Sequence, residues 1–318
     1  MLKKKMLRKI LITTSALFAL FLIYVIPNDD QHEKLNIEKN LEYTDVEVIK
    51  NNVFLMDNNN YLGKTKVVVN STKTVDKIKE LVEVLINGGL GENRIPSGFK
   101  AILPSETKIL SLKLDNGLVK IDFSKELLEI NKDLEEKMIE ALIYTITSVK
   151  EVDKIIIYVE GNILTKLPKT GINLPSTLDR SFGINKTYDF TMTNDINQVT
   201  VYYVNKHNDD YYYVPVTKYL NDNRDKIKII VEQLTSSNTY NTNLLSYLNS
   251  NTKLLDVIEN TNSLELSFNN YIFNDNKDIL EEVIYTICLS INDNYDVKEV
   301  IFQADNKEIS KMVLSQLD

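Results

Sequence analysis

An α+β fold built twice in tandem is what this sequence predicts, and three observations predict it. The chain repeats its own words in order, its helical and strand periodicities alternate in the same order in both halves, and turn residues separate them at matching places. The echo is most direct where Asp76-Lys77-Ile78-Lys79 returns as Asp225-Lys226-Ile227-Lys228, with Leu81, Val82, Glu83 and Leu85 returning as Ile230, Val231, Glu232 and Leu234. Thr107-Lys108-Ile109-Leu110 returns as Thr252-Lys253-Leu254-Leu255, Ile143-Tyr144-Thr145-Ile146 as Ile284-Tyr285-Thr286-Ile287, and Val152-Asp153-Lys154-Ile155 as Val297-Lys298-Glu299-Val300. A separation of about 145 residues marks a duplicated domain, because solenoid repeats recur every 20 to 50 residues or so.

From the amino terminus, residues 1–30 read as a basic flank and a transmembrane anchor. Lys3, Lys4, Lys5, Arg8 and Lys9 precede an uncharged run of 17 residues from Ile10 to Ile26, closed by Pro27-Asn28-Asp29-Asp30. That run is at the short end for a spanning helix, but flanking lysines can snorkel and Tyr24 suits an interface. Positive-inside logic puts the amino terminus in the cytoplasm and residues 28–318 outside it, a single-pass cell-membrane location. The exit Leu22-Ile23-Tyr24-Val25-Ile26-Pro27 lacks the paired small residues of a cleavage site, which favours an uncleaved anchor over a signal peptide. Residues 31–50 are polar and charged and read as a tether.

Residues 51–161 read as the first domain. Strands at 53–56 and 64–69 flank the Asn58-Asn59-Asn60 turn cluster, and Val67-Val68-Val69 is the stronger strand signal. The first helix of the domain puts Val75, Ile78, Leu81, Val82 and Leu85 on one face, with Thr74 placed to cap it and Gly88 to stop it. Strands at 108–114 and 118–123 flank Asp115-Asn116-Gly117, whose Asn-Gly pair favours a tight hairpin. A second helix over about 133–149 opens with a capping-box spacing from Asp133 to Glu136, and a strand over 154–159 closes the domain at Gly161. The order is β-β-α-β-β-α-β, with two helices covering one face of a small sheet. Residues 162–197, with Pro168, Gly171, Pro175 and Gly183, read as a linker. Residues 198–318 repeat the order as a second, degenerate domain: strands at 199–204 and 211–216, a helix at 225–235, strands at 253–258 and 263–268, a helix at 278–291 and a strand at 298–303. Each copy is expected to unfold as its own unit.

Leu85-Ile86-Asn87-Gly88-Gly89, Leu103-Pro104-Ser105-Glu106-Thr107, Asp115 to Ser124, Tyr144-Thr145-Ile146 and the closing strand to Gly161 follow one another in the order of a known module. In that order they resemble the GerMN domain of the GerM family of sporulation and spore germination proteins, strongly in the first copy and weakly in the second. The stretch Leu178-Asp179-Arg180-Ser181-Phe182-Gly183-Ile184-Asn185-Lys186 resembles the linker of its two-domain members. The resemblance implies domains similar to ring-building modules, and an envelope protein assisting assembly of a complex between mother cell and forespore. Two features depart from the family's pattern: Gly88-Gly89 stands where a Gly-Pro is usual, and an apolar segment replaces a lipid anchor.

Chemistry-bearing residues are sparse. The net charge of -8 gives no cationic surplus for a phosphate backbone, so no nucleic-acid partner is expected. His32 falls in the tether and His207 in a hairpin beside Asp209 and Asp210, without metal-ligand spacing, and both read as solvent-exposed. Cys288, the one cysteine, shares a helical face with Val283, Ile284, Ile287 and Ile291 and reads as a buried hydrophobe. Asp122 is tempting as an acid or base, but its counterpart is Ser267, which favours a turn or cap role. Glu83 and Glu232 read as solvated or paired with Lys79 and Lys228. Gly88, Gly89 and Gly91 do not follow a strand, so they form no phosphate loop. No catalytic, cofactor or metal residue is assigned. The expected function is a non-catalytic, membrane-anchored scaffold or assembly factor in sporulation or germination. Its partners are other envelope proteins and further copies of itself, bound through sheet edges such as Val67 to Val69 or through helix faces. The alternative is an extracytoplasmic binding module for peptidoglycan or a small germinant, working through a pocket lined by Tyr202, Tyr211 and Tyr213.

Overall fold

The computed structural model describes residues 4–25, 50–236 and 243–317. The chain divides into two units, Met1–Glu47 and Val48–Asp318. His32 and residues 31–49 of the expected tether lie outside the described residues.

The first unit contains helix α1, Lys4–Val25. Among the described residues no helix is long and apolar enough to cross a membrane, so the expected transmembrane helix is not supported. Charges occupy its first turns, and the uncharged remainder from Ile10 to Val25 rises about 24 Å at 1.5 Å per residue, short of a roughly 30 Å hydrocarbon core.

In the second unit the two copies share one element order. The first has β1 (Lys50–Asp57), β2 (Leu62–Val68), α2 (Thr74–Val84), β3 (Phe99–Lys100), β4 (Ile109–Asp115), β5 (Leu118–Phe123), α3 (Glu135–Ile146), β6 (Lys154–Val159) and β7 (Asn162–Ile163). The linker contributes β8 (Thr187–Asp189). The second copy has β9 (Asn197–His207), β10 (Asp210–Leu220), α4 (Lys226–Thr235), β11 (Leu254–Glu259), β12 (Ser263–Phe268), α5 (Glu281–Asn294), β13 (Glu299–Ala304) and β14 (Lys307–Val313). Each copy carries a closing strand, β7 or β14, beyond the sequence pattern, and the first copy has the two-residue β3 besides. Neither copy has a single small sheet. The opening hairpins β1–β2 and β9–β10 join in one sheet, while β4-β5-β6-β7 and β11-β12-β13-β14 form two further sheets.

Local chemistry explains most elements. Asn116 and Gly117 have φ 45° and 79°, the left-handed pair that a two-residue hairpin needs, and β4 and β5 pair antiparallel around them. In α2, Ile78, Leu81 and Val82 are fully buried, as are Ile227 and Ile230 in α4. The caps differ from expectation. Thr74 is already helical behind Lys73, which donates no side-chain cap, and Lys132–Leu134 forms a 3₁₀ turn before α3 starts at Glu135, so Asp133 caps nothing. In the second copy Asp225 does cap α4, accepting from the Ile227 amide.

The helices seal strand edges. Thr145 Oγ1 on α3 accepts from the Phe54 amide of β1 at 3.0 Å, and Ser290 Oγ on α5 accepts from the Tyr202 amide of β9 at 2.9 Å. Thr286, the echo of Thr145 in the sequence, bonds only its own helix, to Glu282 and Val283. The repeated Ile-Tyr-Thr-Ile words thus stand one helical turn apart in the two copies, a slip that leaves the buried face unchanged.

Candidate functional site

The linker is where the two copies meet, and it is not a loose connection. Leu164, Leu167, Leu174, Leu178 and Ile184 are buried in the first copy's core, and Leu178 bridges to Ile155 of β6. Tyr61 and Phe99 of the first copy pack against the second copy's core. Three polar clusters then lock the copies together.

The first is centred on Arg180. Its guanidinium lies over the Tyr144 ring at 5.0 Å, donates to Thr147 Oγ1 at 3.2 Å, and pairs at very short range with Asp293 on α5. Asp293, with only 2% of its side chain exposed, also accepts from the Tyr202 hydroxyl at 2.8 Å. Burial and the Asp293 charge push the Tyr202 phenol far up.

The second is centred on Asn185, at φ 46°, a left-handed conformation that Asn tolerates. Its side chain accepts from the Leu62 amide and donates to the carbonyls of Leu62 and Pro215, at 2.8–2.9 Å, so one amide group stitches β2 to β10. Its backbone N–H donates to Glu140. Burial pushes the Glu140 carboxyl up to about 7, against the opposing pull of Lys186, the Asn185 amide and Lys137 and with a small further push from Glu136. A folded-state pKa above the unfolded one means that the folded chain binds more protons between about pH 4.5 and 7. Glu140 therefore favours folding below that window and progressively less as pH rises through it. Glu140→Gln, which keeps an acceptor for Asn185, should flatten the pH dependence by on the order of 1 kcal/mol per unit over pH 5–7 in urea titrations. An unchanged slope would exclude Glu140 as its source.

The third cluster is Asp57, fully buried at the end of β1. One oxygen accepts from the amides of Asn59 and Tyr61, both at 2.8 Å; the other accepts from the Asn205 amide and the Tyr212 hydroxyl of the second copy, at 3.0 and 2.8 Å. Nearby, His207 is half-buried rather than fully exposed: its ring lies over Gly98, where an added Cβ would come within 2.4 Å of it, and its Nε2 is 3.3 Å from Ser97 Oγ. Only glycine, here at φ 88°, allows that approach.

Where β2 and β10 diverge, past the single pairing of Lys64 with Tyr213, a cleft of about 220 Å³ opens. Tyr211, Tyr213 and Tyr285 line it with Lys64, Lys66 and Asn52. Tyr213 stacks on Tyr285 at 5.7 Å, and the Asn52 Oδ1, buried at the cleft, has no hydrogen-bond partner. Tyr211 and Tyr213 are thus brought together as expected. Tyr202 is not, because Asp293 holds it in the core. In the Val67 to Val69 stretch Val67 and Val69 have buried side chains and Val68 an exposed one, and β2 pairs there with β1.

The other named residues have structural partners. Asp122 accepts from the Gly161 amide and holds the β6–β7 turn. Cys288 is buried, which pushes its thiol well up, away from nucleophilic reactivity. Glu83 lies 4.0 Å from Lys79, whereas Glu232 pairs with Arg224 instead of Lys228. Gly88, Gly89 and Gly91 follow α2 and precede a 3₁₀ turn. Among the described residues no group of three or more His, Cys, Asp or Glu could hold a metal ion. The linker clamp has no mark in the residue pattern, because Arg180 meets Asp293 113 positions away and Asn185 meets Leu62 123 positions away, separations that no periodicity reports.

A family model described as Germane, sporulation and spore germination, matches residues 52–165 and 200–310. The chain belongs to this family. The spore germination protein GerM of Bacillus subtilis (strain 168) is 30% identical over 267 residues, covering 80% of this chain and 71% of that protein. The solved tandem GerMN domains of the sporulation protein GerM from Bacillus subtilis superpose with a TM-score of 0.75 at 28% identity, over 82% of this chain and 92% of that one. The mixed α+β architecture of this Germane chain is thus that of tandem GerMN domains.

Proposed function

We propose that this Germane chain acts in sporulation or spore germination as a non-catalytic scaffold or assembly factor, attached to a membrane by its N-terminal helix, with the tandem copies on the extracytoplasmic side. The observation that carries the reading is the lock between the copies: Arg180, Asn185 and Asp57 spend their polar groups joining two repeats into one body. That arrangement suits a protein that presents fixed surfaces to envelope partners. The basic first turns and apolar remainder of α1 support membrane attachment without requiring that it span. The tyrosine-lined cleft supports the second reading, a binding module for a peptidoglycan fragment or small germinant.

Complementation of a deletion strain separates these. Asp122→Ala, His207→Ala and Cys288→Ser should each leave spore yield and germination within about twofold of wild type, while loss of residues 4–25 should lower them by about tenfold or more. A stably folded Asp122→Ala or His207→Ala variant without function would replace the scaffold with an enzyme. Failure of a folded Tyr211→Ala or Tyr213→Ala variant alone would favour the binding module.

A further inference from the structure

The sheets β4–β7 and β11–β14 each bury one face and offer the other to solvent, and equivalent positions on the two outer faces carry opposite charge. The copies superimpose in register at these sheets, Leu118 pairing with Lys154 where Ser263 pairs with Glu299. On the first sheet Val119, Ile121, Ile155 and Ile157 point into the core, which puts Lys120 and Lys154 outside, joined by Lys113 of β4. In the second sheet Leu264, Leu266, Val300 and Phe302 point inward, and Glu265 and Glu299 stand in the places of Lys120 and Lys154. Asp256 and Glu308 add to that acidic face, whose one base among the described strand residues, Lys311, pairs with Glu299 at 2.8 Å. The two acids of the first face are Asp115 and Asp122, and Asp122 is engaged by the Gly161 amide. Half-exposed Ile156 and Ile301 occupy the same place at the middle of each face.

Strand-edge pairing is disfavoured at these sheets. One edge strand of each sheet, β4 or β11, has a bulge at the same position, between Ile109 and Ser111 and between Leu254 and Asp256, and a bulge turns an edge away from strand addition; the opposite edges are β7, of two residues, and β14, irregular opposite Phe302 and Gln303. Contact between copies is left to the faces.

We propose that the basic outer face of the β4–β7 sheet in one chain docks on the acidic outer face of the β11–β14 sheet in a second copy. The association is head to tail. Because the two faces differ, such a contact does not pair off into a closed two-fold dimer but continues from copy to copy. A four-stranded face measures roughly 20 Å by 20 Å, below the roughly 800 Å² per partner of a standard interface, so the contact is weak in dilute solution and gains from the high local concentration of chains confined to a surface. The inference stands on the charges of the sheets and not on the scaffold reading, so either can fail alone.

Sedimentation velocity on the full-length chain in mild detergent tests it, with two charge-reversed variants. Lys120→Glu/Lys154→Glu makes both faces acidic; Glu265→Lys/Glu299→Lys makes both basic. Wild type should associate with concentration, at least about tenfold more weakly at 0.5 M than at 0.05 M salt. Each variant alone should bind itself at least about tenfold more weakly than wild type, and an equimolar mixture of the two should associate again with the variants alternating, since every acidic face of one then meets a basic face of the other. Recovery in the mixture also rules out misfolding, and disulfide capture between Lys120→Cys and Glu265→Cys chains in a Cys288→Ser background reads the same contact without charge reversal. A wild type that stays monomeric to about 1 mM, a variant that self-associates like wild type, or a mixture that associates no better than either variant alone would each overturn the proposal.

Discussion

Replacing Arg180 with alanine should lower the free energy of unfolding by about 3–5 kcal/mol, because it leaves the Asp293 carboxylate buried without its counter-ion. The same change removes the guanidinium from the Tyr144 ring and the bond to Thr147, all from one linker residue that touches both copies. Arg180→Lys should recover only part of this, since an ammonium cannot span Asp293 and Thr147 with a planar fork. Urea unfolding followed by far-ultraviolet circular dichroism reads both values. A loss below about 1 kcal/mol for Arg180→Ala would mean that Asp293 finds water or another donor and that the linker does not hold the copies together.

A comparable loss, about 3–5 kcal/mol, is expected for Asp57→Ala at the far end of the junction. Four donors converge on that carboxylate: the Asn59 and Tyr61 amides from its own hairpin, and the Asn205 amide and Tyr212 hydroxyl from the other copy. Alanine would strand Tyr212 and Asn205, both less than 9% exposed, without a partner. Tyr212→Phe removes one of those donors and should soften the effect of Asp57→Ala in a double-mutant cycle, giving a coupling of about 1 kcal/mol or more. Strict additivity would show that the two groups do not act on each other. Because both sites join the copies, wild type should unfold in a single transition reported alike by tyrosine fluorescence and circular dichroism; two resolved transitions would restore the picture of independent domains.

The elements that the residues announce by themselves are those whose cause is local. Asn116-Gly117 makes a hairpin because those two side chains permit left-handed backbone, and Ile78, Leu81 and Val82 are buried because helical spacing puts them on one stripe. The order-preserving echo determined the duplication, and the order of motifs in the first copy, with the linker stretch, carried the resemblance to the family. What needed the fold was every decision made by distant partners. A strand signal does not say which strand will lie beside it, so the joining of β2 to β10 and the division of each copy between two sheets were invisible in the pattern. The four-residue slip of Thr145 against Thr286 leaves no mark in the pattern, because one helical turn preserves the apolar face while moving the hydroxyl that caps the strand. Tyr202, on paper a pocket tyrosine, is a core residue because Asp293 lies 91 positions away and arrives only through packing of α5 on β9. Composition and periodicity report what a residue prefers to be near; which residue it meets is set by chain closure over long separations, and at this junction the buried partners of Arg180, Asn185 and Asp57 decided it.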